Sequence, residues 1–180
     1  MKIPIIAVVG SKKSGKTTTA EILTRELTKR GYRIAAVKHV PEPDFTIDTP
    51  GKDTWRFAQF GAKTIIAVSS NEIATIEKVN TKDVSLKSIL QKCKDSDLVF
   101  LEGFRKLVNK NKVVHKIVVV KSAEEALEAI QNFDPILAFT GPFSTANLNL
   151  DEPYVDTLKD PQKIADIVEK IVRKNRSQVV

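Results

Sequence analysis

The segment that most constrains the fold is the octapeptide at 10–17, which reads Gly-Ser-Lys-Lys-Ser-Gly-Lys-Thr. It matches G-x-x-x-x-G-K-[ST] at every fixed position, which is the pattern of a phosphate-binding P-loop, or Walker A motif. Residues 3–9 before it are apolar and rich in β-branched types, which predicts a strand buried on both faces. Residues 17–30 after it carry apolar side chains at helical spacing. Because a P-loop joins a buried strand to a helix, this context indicates a nucleoside triphosphate site.

The rest of the chain alternates between strand-like and helix-like segments. Strands are predicted at 33–38, 64–68, 72–77, 98–101, 116–120 and 136–140, and helices at 53–60, 83–93, 161–174 and from Ser122 onward. This alternation predicts an α/β protein, a P-loop NTPase three-layer fold with a mostly parallel sheet and helices on both faces. We expect a single nucleotide-binding domain over 1–174 and a frayed tail at 175–180.

Composition narrows the classes of partner. The net charge of +7 favours anionic ligands, but no basic face with interleaved aromatic residues occurs, so a lysine-rich solvated surface is favoured over a nucleic-acid interface. The single cysteine, Cys93, excludes an internal disulfide and falls on the apolar stripe of a predicted helix. No apolar stretch is long enough to span a bilayer, and residues 2–9 lack the cleavage site of a signal peptide. We expect a cytoplasmic protein without a membrane partner.

Each type of residue in the P-loop has a chemical reason to be there. Gly10 and Gly15 let the backbone approach the phosphates, whose charge is met by successive N–H groups and by the start of the following helix. Lys16 is expected to place its charge on the β- and γ-phosphates, and the Thr17 hydroxyl to bind Mg²⁺. Lys12 and Lys13 each either add a phosphate contact or are solvated. The predicted nucleotide-binding residues of this segment are Gly10, Ser11, Lys12, Lys13, Ser14, Gly15, Lys16, Thr17 and Thr18.

Carboxylates at two places are candidates for the Mg²⁺ shell. Glu102 follows the buried strand 98–101, so it should lie at the carboxyl edge of the sheet, where α/β proteins bind ligands. Asp97 begins the same strand and should be structural at the opposite edge. Asp48 and Gly51, in a long proline-containing loop, match the D-x-x-G pattern of GTPase switch loops. Asp48 is either a Mg²⁺ ligand through water or a solvated loop residue, and the predicted metal ligands are Thr17, Glu102 and Asp48.

Two further features bear on the ligand. His39 ends the second predicted strand and should point toward the same edge, which leaves a nucleotide contact and a structural role equally open. The guanine-reading motif Asn-Lys-x-Asp does not occur in the sequence; residues 80–83 have its letters in the wrong order. The base preference therefore does not follow from a motif.

Four motifs together resemble the MobB family of molybdopterin-guanine dinucleotide biosynthesis adaptor proteins. They are the P-loop, a second strand ending in Lys-His at 38–39, a loop closing with Pro-Gly-Lys-Asp-Thr at 50–54, and a strand ending in Glu-Gly-Phe at 102–104. They occur in the family's order and cover about the first 105 residues. The loop after Lys-His departs from the family, which often has histidines where Pro41-Glu42-Pro43 stands here.

The resemblance implies a GTP-binding homodimer with weak GTP hydrolysis. It would assist the molybdenum cofactor guanylyltransferase, the enzyme that joins GMP to molybdopterin, or the delivery of the product, with GTP, Mg²⁺ and molybdopterin as its ligands. The residues carried over by the resemblance are Gly10, Lys13, Gly15, Lys16, Thr17 and Glu102, with Asp48, Gly51 and Asp53 from the family loop.

Three other functions share the P-loop. A small-molecule kinase using ATP would need lid arginines, for which Arg56 and Arg105 are available although no lid is evident. A metallochaperone GTPase would need clustered cysteines and histidines, which this chain lacks. A nucleic-acid-associated NTPase is suggested only by the net charge.

Overall fold

The computed structural model of the chain describes residues 3–177, apart from the side chain of Asp83. These residues form two compact units, one made of 3–39 with 89–177 and the other of 40–88. The single nucleotide-binding domain expected over residues 1–174 stays a prediction.

Strands and helices lie close to their predicted bounds. The strands are β1 Ile5–Gly10, β2 Ile34–Lys38, β3 Thr64–Val68, β4 Ile73–Glu77, β5 Leu98–Glu102, β6 Val114–Val119 and β7 Ile136–Thr140. The helices are α1 Lys16–Lys29, α2 Asp53–Gln59, α3 Leu86–Lys92, α4 Arg105–Val108, α5 Ala123–Asn132 and α6 Pro161–Ser177. Within residues 3–177, α4, one turn long, and a 3-10 turn at Thr81–Asp83 have no counterpart in the sequence-based prediction.

The larger unit is built on a five-stranded parallel sheet with the order β2-β5-β1-β6-β7. Strand β1 lies at its centre and leads into the P-loop. In the register of the sheet, Val8 of β1 and Lys38 of β2 both lie opposite Glu102 of β5. The topology thus brings the P-loop, Glu102 and the end of β2 to one edge, and the predicted α/β class is confirmed.

Both faces of the inner strands β5, β1 and β6 are buried, as apolar strand sequences predict, whereas the edge strand β2 has no buried residue. One face packs against α1 and α6 and includes Ile6, Val8, Phe100, Leu23, Leu27, Ile164 and Val168. Alternate residues such as Ile5, Ala7 and Val99 point to the other face and are equally inaccessible. Cys93 is buried as well, in agreement with its predicted place in the core.

Helix α6 extends through Ser177, so residues 175–177 are helical where a frayed tail was predicted. Arg176 accounts for the extension because its guanidinium donates to Asp97 at 3.0 Å and lies 5.2 Å from the ring centroid of Tyr32. The rest of the predicted tail, residues 178–180, lies outside the described residues. No helix in residues 3–177 is both long enough and apolar enough to span a membrane.

The unit 40–88 contains the long loop, α2 and a separate two-stranded antiparallel sheet of β3 and β4. Only four residues, 69–72, join these strands, and a connection that short permits a hairpin but not a parallel crossover. The turn is closed by the Ser69 N–H, which donates to the Glu72 carbonyl at 2.9 Å. These two strands are therefore not part of the parallel sheet.

Candidate nucleotide-binding site

The P-loop wraps closely at the carboxyl end of β1. A Cβ atom placed on Gly10 would lie 2.4 Å from the carbonyl oxygen of Val119, so no larger residue fits there. Lys13 and Gly15 both have left-handed backbones, with φ of 60° and 102°. Left-handed residues inside a short turn direct successive N–H groups toward a common centre, which is the geometry of an anion-binding nest.

The start of α1 offers donors that no side chain caps. Gly15 is the N-cap and has no side chain to accept from the first turn. The Thr19 N–H makes the first helical bond, to the Gly15 carbonyl at 2.9 Å. The N–H groups of Lys16, Thr17 and Thr18 therefore have no acceptor within the helix, and an anion at this end satisfies them.

Lys16 lies in a cationic environment. Its ammonium donates to the Ser11 carbonyl across the loop at 2.6 Å. Burial lowers the pKa of Lys16, and the positive charges of Lys38, Lys121 and Arg105 lower it further, while the Glu102 carboxylate opposes them. Lys38, Lys121 and Arg105 are paired with Glu102, Glu125 and Glu128, which leaves a small excess of positive charge at Lys16, suited to a polyanionic ligand.

Glu102 and Thr17, both predicted Mg²⁺ ligands, are in direct contact. The Thr17 hydroxyl donates to Glu102 Oε1 at 2.9 Å, and Lys38 Nζ lies 3.3 and 3.2 Å from the two carboxylate oxygens. Within residues 3–177, no group of three His, Cys, Asp or Glu side chains could hold a metal ion. Mg²⁺ beside a nucleotide takes most of its ligands from phosphates and water, so one carboxylate and one hydroxyl fit it.

His39 lies immediately after β2 at this edge. Its backbone N–H donates to the Glu102 carbonyl at 3.0 Å, and its exposed ring packs edge-on against Phe104, 5.4 Å away between centroids. A Cβ on Gly103 would approach the His39 Cβ at 3.3 Å, which explains the glycine beside Glu102. A nucleotide contact of the imidazole stays a prediction.

Asp48 and Gly51 lie in the unit 40–88, in the loop before α2. The Asp48 carboxylate accepts from the Thr54 hydroxyl and from the Thr49 N–H, both at 2.9 Å. Gly51 has φ of 87°, a left-handed turn before the helix. Asp53 is exposed and pairs with Arg56 at 3.7 Å. Within their own unit these residues order the start of α2, and their roles toward a nucleotide or Mg²⁺ stay predictions.

The sequence-based prediction missed two lysines at this edge. Lys38 is the last residue of β2, and Lys121 follows β6 by two residues, with its ammonium donating to the Lys12 carbonyl at 3.2 Å. Both lie at the carboxyl ends of strands, the signal that identified Glu102. A position at the end of a strand does not show that a residue lies near the P-loop unless the strand order is known. That order makes β5 and β6 the neighbours of β1.

Comparison with known proteins gives one consistent result. A family model described as molybdopterin guanine dinucleotide synthesis protein B, MobB, matches residues 5–141. A molybdopterin-guanine dinucleotide biosynthesis adapter protein of Haemophilus influenzae is 31% identical over 170 residues, covering 93% of this chain and 89% of its own. The Escherichia coli protein of the same description is 29% identical over 176 residues, covering 96% and 95%.

Solved structures agree with the sequence comparison. The crystal structure of a molybdopterin-guanine biosynthesis protein B superposes with a TM-score of 0.71 at 26% identity, covering 94% of this chain and 99% of the other. That of Bacillus subtilis MobB gives the same TM-score at 23% identity, covering 94% and 98%, which shows a shared fold.

Proposed function

The chain belongs to the MobB family, and on that premise we propose that it is a GTP-binding accessory protein of molybdenum cofactor biosynthesis. It assists the formation or delivery of molybdopterin guanine dinucleotide and hydrolyses GTP weakly at most. The observation that carries the proposal is the contact of Thr17 with Glu102 beside Lys16, at the end of a P-loop, in a chain whose relatives are adapter proteins of this synthesis.

The residues of the chain bind the phosphates by charge and by oriented donors. Lys16 and the uncapped start of α1 hold the triphosphate, and the surplus of cations strengthens that attraction. Thr17 and Glu102 hold Mg²⁺, which neutralises phosphate charge when bound. Because Lys38 shares the Glu102 carboxylate, metal and lysine compete for the same oxygens.

Arg105 is the arginine that the kinase alternative would use to clamp a phosphate. An arginine that stabilises the transferred phosphoryl group must be available to reach it. Here the Arg105 guanidinium donates to Glu128 at 2.6 Å and lies 5.3 Å from the ring centroid of Phe133. Both side chains of this ion pair are largely exposed, so a phosphate can displace Glu128, and an assay of phosphate transfer from ATP decides between weak hydrolysis and the kinase alternative.

We also propose that two copies of the chain associate through the β3–β4 sheet. On one of its faces Ile66, Val68 and Ile73 are 60%, 73% and 70% exposed. A two-stranded sheet is marginal alone, and a contiguous apolar face of this kind favours burial against a partner. A second copy presents the same apolar face, so the contact is self-complementary, as a two-fold dimer requires.

Sedimentation of Val68→Lys tests this dimer. The variant should sediment as a monomer, whereas Leu127→Lys, at an exposed apolar position on α5, should behave as the wild type. A dimer that persists in Val68→Lys would overturn the assignment of the interface to this face.

Reconstitution tests the accessory role. Purified guanylyltransferase, molybdopterin, GTP and Mg²⁺ are combined with wild-type protein, with Lys16→Ala, or with Lys170→Ala, an exposed lysine on α6. We expect wild type and Lys170→Ala to raise the rate of dinucleotide formation and Lys16→Ala to leave it at the rate without the protein. Equal stimulation by Lys16→Ala, or none by wild type, would refute the proposal.

A further inference from the structure

A cavity of about 460 Å³ opens beside the P-loop within the larger unit. Ser14, Gly15 and Thr18 line it on the side of α1, and Thr140, Gly141 and the segment 156–159 line the opposite side. Its volume lies in the range of small-ligand sites, and it continues directly from the loop that would hold the phosphates. A nucleotide held by its phosphates at the P-loop has this cavity available for its nucleoside.

One buried polar residue of the P-loop borders this cavity. The side chain of Ser14 lines the cavity and is 4% exposed, and within residues 3–177 its hydroxyl has no hydrogen-bond partner. A buried hydroxyl left unpaired is costly. Because this oxygen is inaccessible, a ligand in the cavity would pair with it only after the Ser14 side chain turned toward the cavity.

The wall opposite Ser14 is held rigidly. The Phe139 N–H donates to the Pro153 carbonyl at 2.8 Å, and the Val155 N–H returns a bond to Phe139 at 2.9 Å. Tyr154 donates its hydroxyl to the Gly141 carbonyl at 2.7 Å. The hydroxyls of Thr140 and Thr157, both buried, are 2.6 Å apart. This segment therefore runs along β7 as a short added strand and fixes Asp156 at the carboxyl edge of the sheet.

Asp156 presents one oxygen to the backbone and leaves the other available. Its Oδ1 accepts from the N–H groups of Leu158 and Lys159 at 3.1 and 3.2 Å. Its Oδ2 lies 3.4 Å from Lys159 Nζ, whose side chain is 86% exposed. An ion pair this exposed is weak, so a ligand can exchange with either partner at little cost. The wall thus offers a carboxylate and an ammonium side by side.

We infer that this cavity is the nucleoside subsite and that Asp156 and Lys159 select guanine. Guanine carries N–H donors at N1 and N2 beside the acceptor O6, which a carboxylate next to an ammonium complements. Adenine reverses the pattern, with an acceptor at N1 and a donor at N6, and would set its N1 lone pair against the carboxylate. The inference rests on the proposed GTP function and supplies the base reader that the missing Asn-Lys-x-Asp motif would otherwise provide.

The sharpest test changes the hydrogen-bonding groups of residue 156 and of the base together. Asp156→Asn keeps an Oδ1 acceptor for the backbone but replaces the charged oxygen with an amide donor. Xanthine carries a carbonyl where guanine has its N2 amino group, so the amide suits xanthine and opposes guanine. In calorimetric titrations with Mg²⁺ we expect Asp156→Asn to bind GTP about 10- to 100-fold more weakly and to prefer XTP over GTP, the reverse of the wild type.

Controls separate this inference from the function on which it rests. Asp151→Asn, an exposed aspartate near the same wall, should bind as the wild type. Wild-type protein should bind ITP, which lacks the N2 amino group, about tenfold more weakly than GTP, a result that needs no variant. Wild-type preference for GTP that Asp156→Asn leaves unchanged, or equal affinity for ITP and GTP, overturns only the inference. Failure of the wild type to bind GTP overturns the proposed function itself.

Discussion

Removing the charge of Asp97 should destabilise the protein in a manner that depends on pH. The Asp97 carboxylate is almost inaccessible to solvent and accepts from three groups of Arg33: the backbone N–H at 2.9 Å, Nε at 3.1 Å and a terminal nitrogen at 3.2 Å. Arg176 of α6 adds a fourth bond at 3.0 Å. The site thus joins the start of β5 to the start of β2 and the end of α6. We predict that Asp97→Asn keeps the shape of the side chain but loses most of the electrostatic attraction to Arg33 and Arg176.

The magnitude follows from the proton affinity of this carboxyl. The hydrogen bonds of the Arg33 side chain lower the pKa of Asp97 from 3.8 to about 2. The difference corresponds to about 2 kcal/mol of stability, and because Arg33 is largely solvent-exposed, screening reduces it to about 1–2 kcal/mol. The lowered pKa places this stability above pH 3.8 and removes it as the pH falls toward 2.

Urea unfolding from pH 7 down to pH 3 measures the effect. At pH 7, Asp97→Asn should lose about 1–2 kcal/mol, or about 2–8 °C in Tm, and the gap from wild type should narrow as the pH falls below 4. Asp95→Asn, an exposed aspartate two residues earlier, is the matched control and should change little. A deficit in Asp97→Asn that is equally large at pH 7 and pH 3 would refute the argument from charge.

Two further predictions concern the metal ligand and a buried lysine. Glu102→Gln can still accept from Thr17 but lacks the charge, so it should weaken GTP binding about tenfold in Mg²⁺. In EDTA the variant should bind GTP at least as well as the wild type, because a negative charge beside the phosphates is removed. An equal loss in EDTA would contradict a role in metal binding. Lys116 is fully buried, with its ammonium donating to the carbonyls of Asn111 and Asp134, and burial lowers its pKa to about 8. Between pH 8 and 10.5 the unfolded state binds more protons than the folded state, so the stability of the wild type should rise relative to Lys116→Met by up to about 3 kcal/mol over that range. Urea unfolding at several pH values measures this difference. A difference that does not change between pH 8 and 10.5 would contradict the lowered pKa of Lys116.

The parts of the site formed by residues that are close together in the sequence could be predicted from the sequence. The P-loop spacing determines which residues form the turn between β1 and α1, because strand, turn and helix are contiguous in the chain. Glu102 could also be predicted, because a carboxylate after a buried strand must lie at the carboxyl edge. Asp97, at the other end of the same strand, was correctly predicted to be structural for the same reason.

The parts that depend on strand order and on packing could not be predicted. Lys121 joins the site only because β6 is the neighbour of β1, and the sequence does not contain that order explicitly. Asp156 lies in a segment of weak strand character that is fixed by bonds to β7, so no periodicity marks it. The β3 and β4 strands were predicted by their composition, whereas their separation from the parallel sheet follows from the short turn between them.

Calorimetric titration of the purified protein with GTP and with ATP, in Mg²⁺, tests whether the P-loop is a guanine nucleotide site. Lys16→Ala serves as the control, because it removes the ammonium that contacts the P-loop and leaves the sheet intact. We expect the wild type to bind GTP in preference to ATP and Lys16→Ala to lose this binding. Equal or tighter binding of ATP, or GTP binding that survives Lys16→Ala, would contradict this expectation.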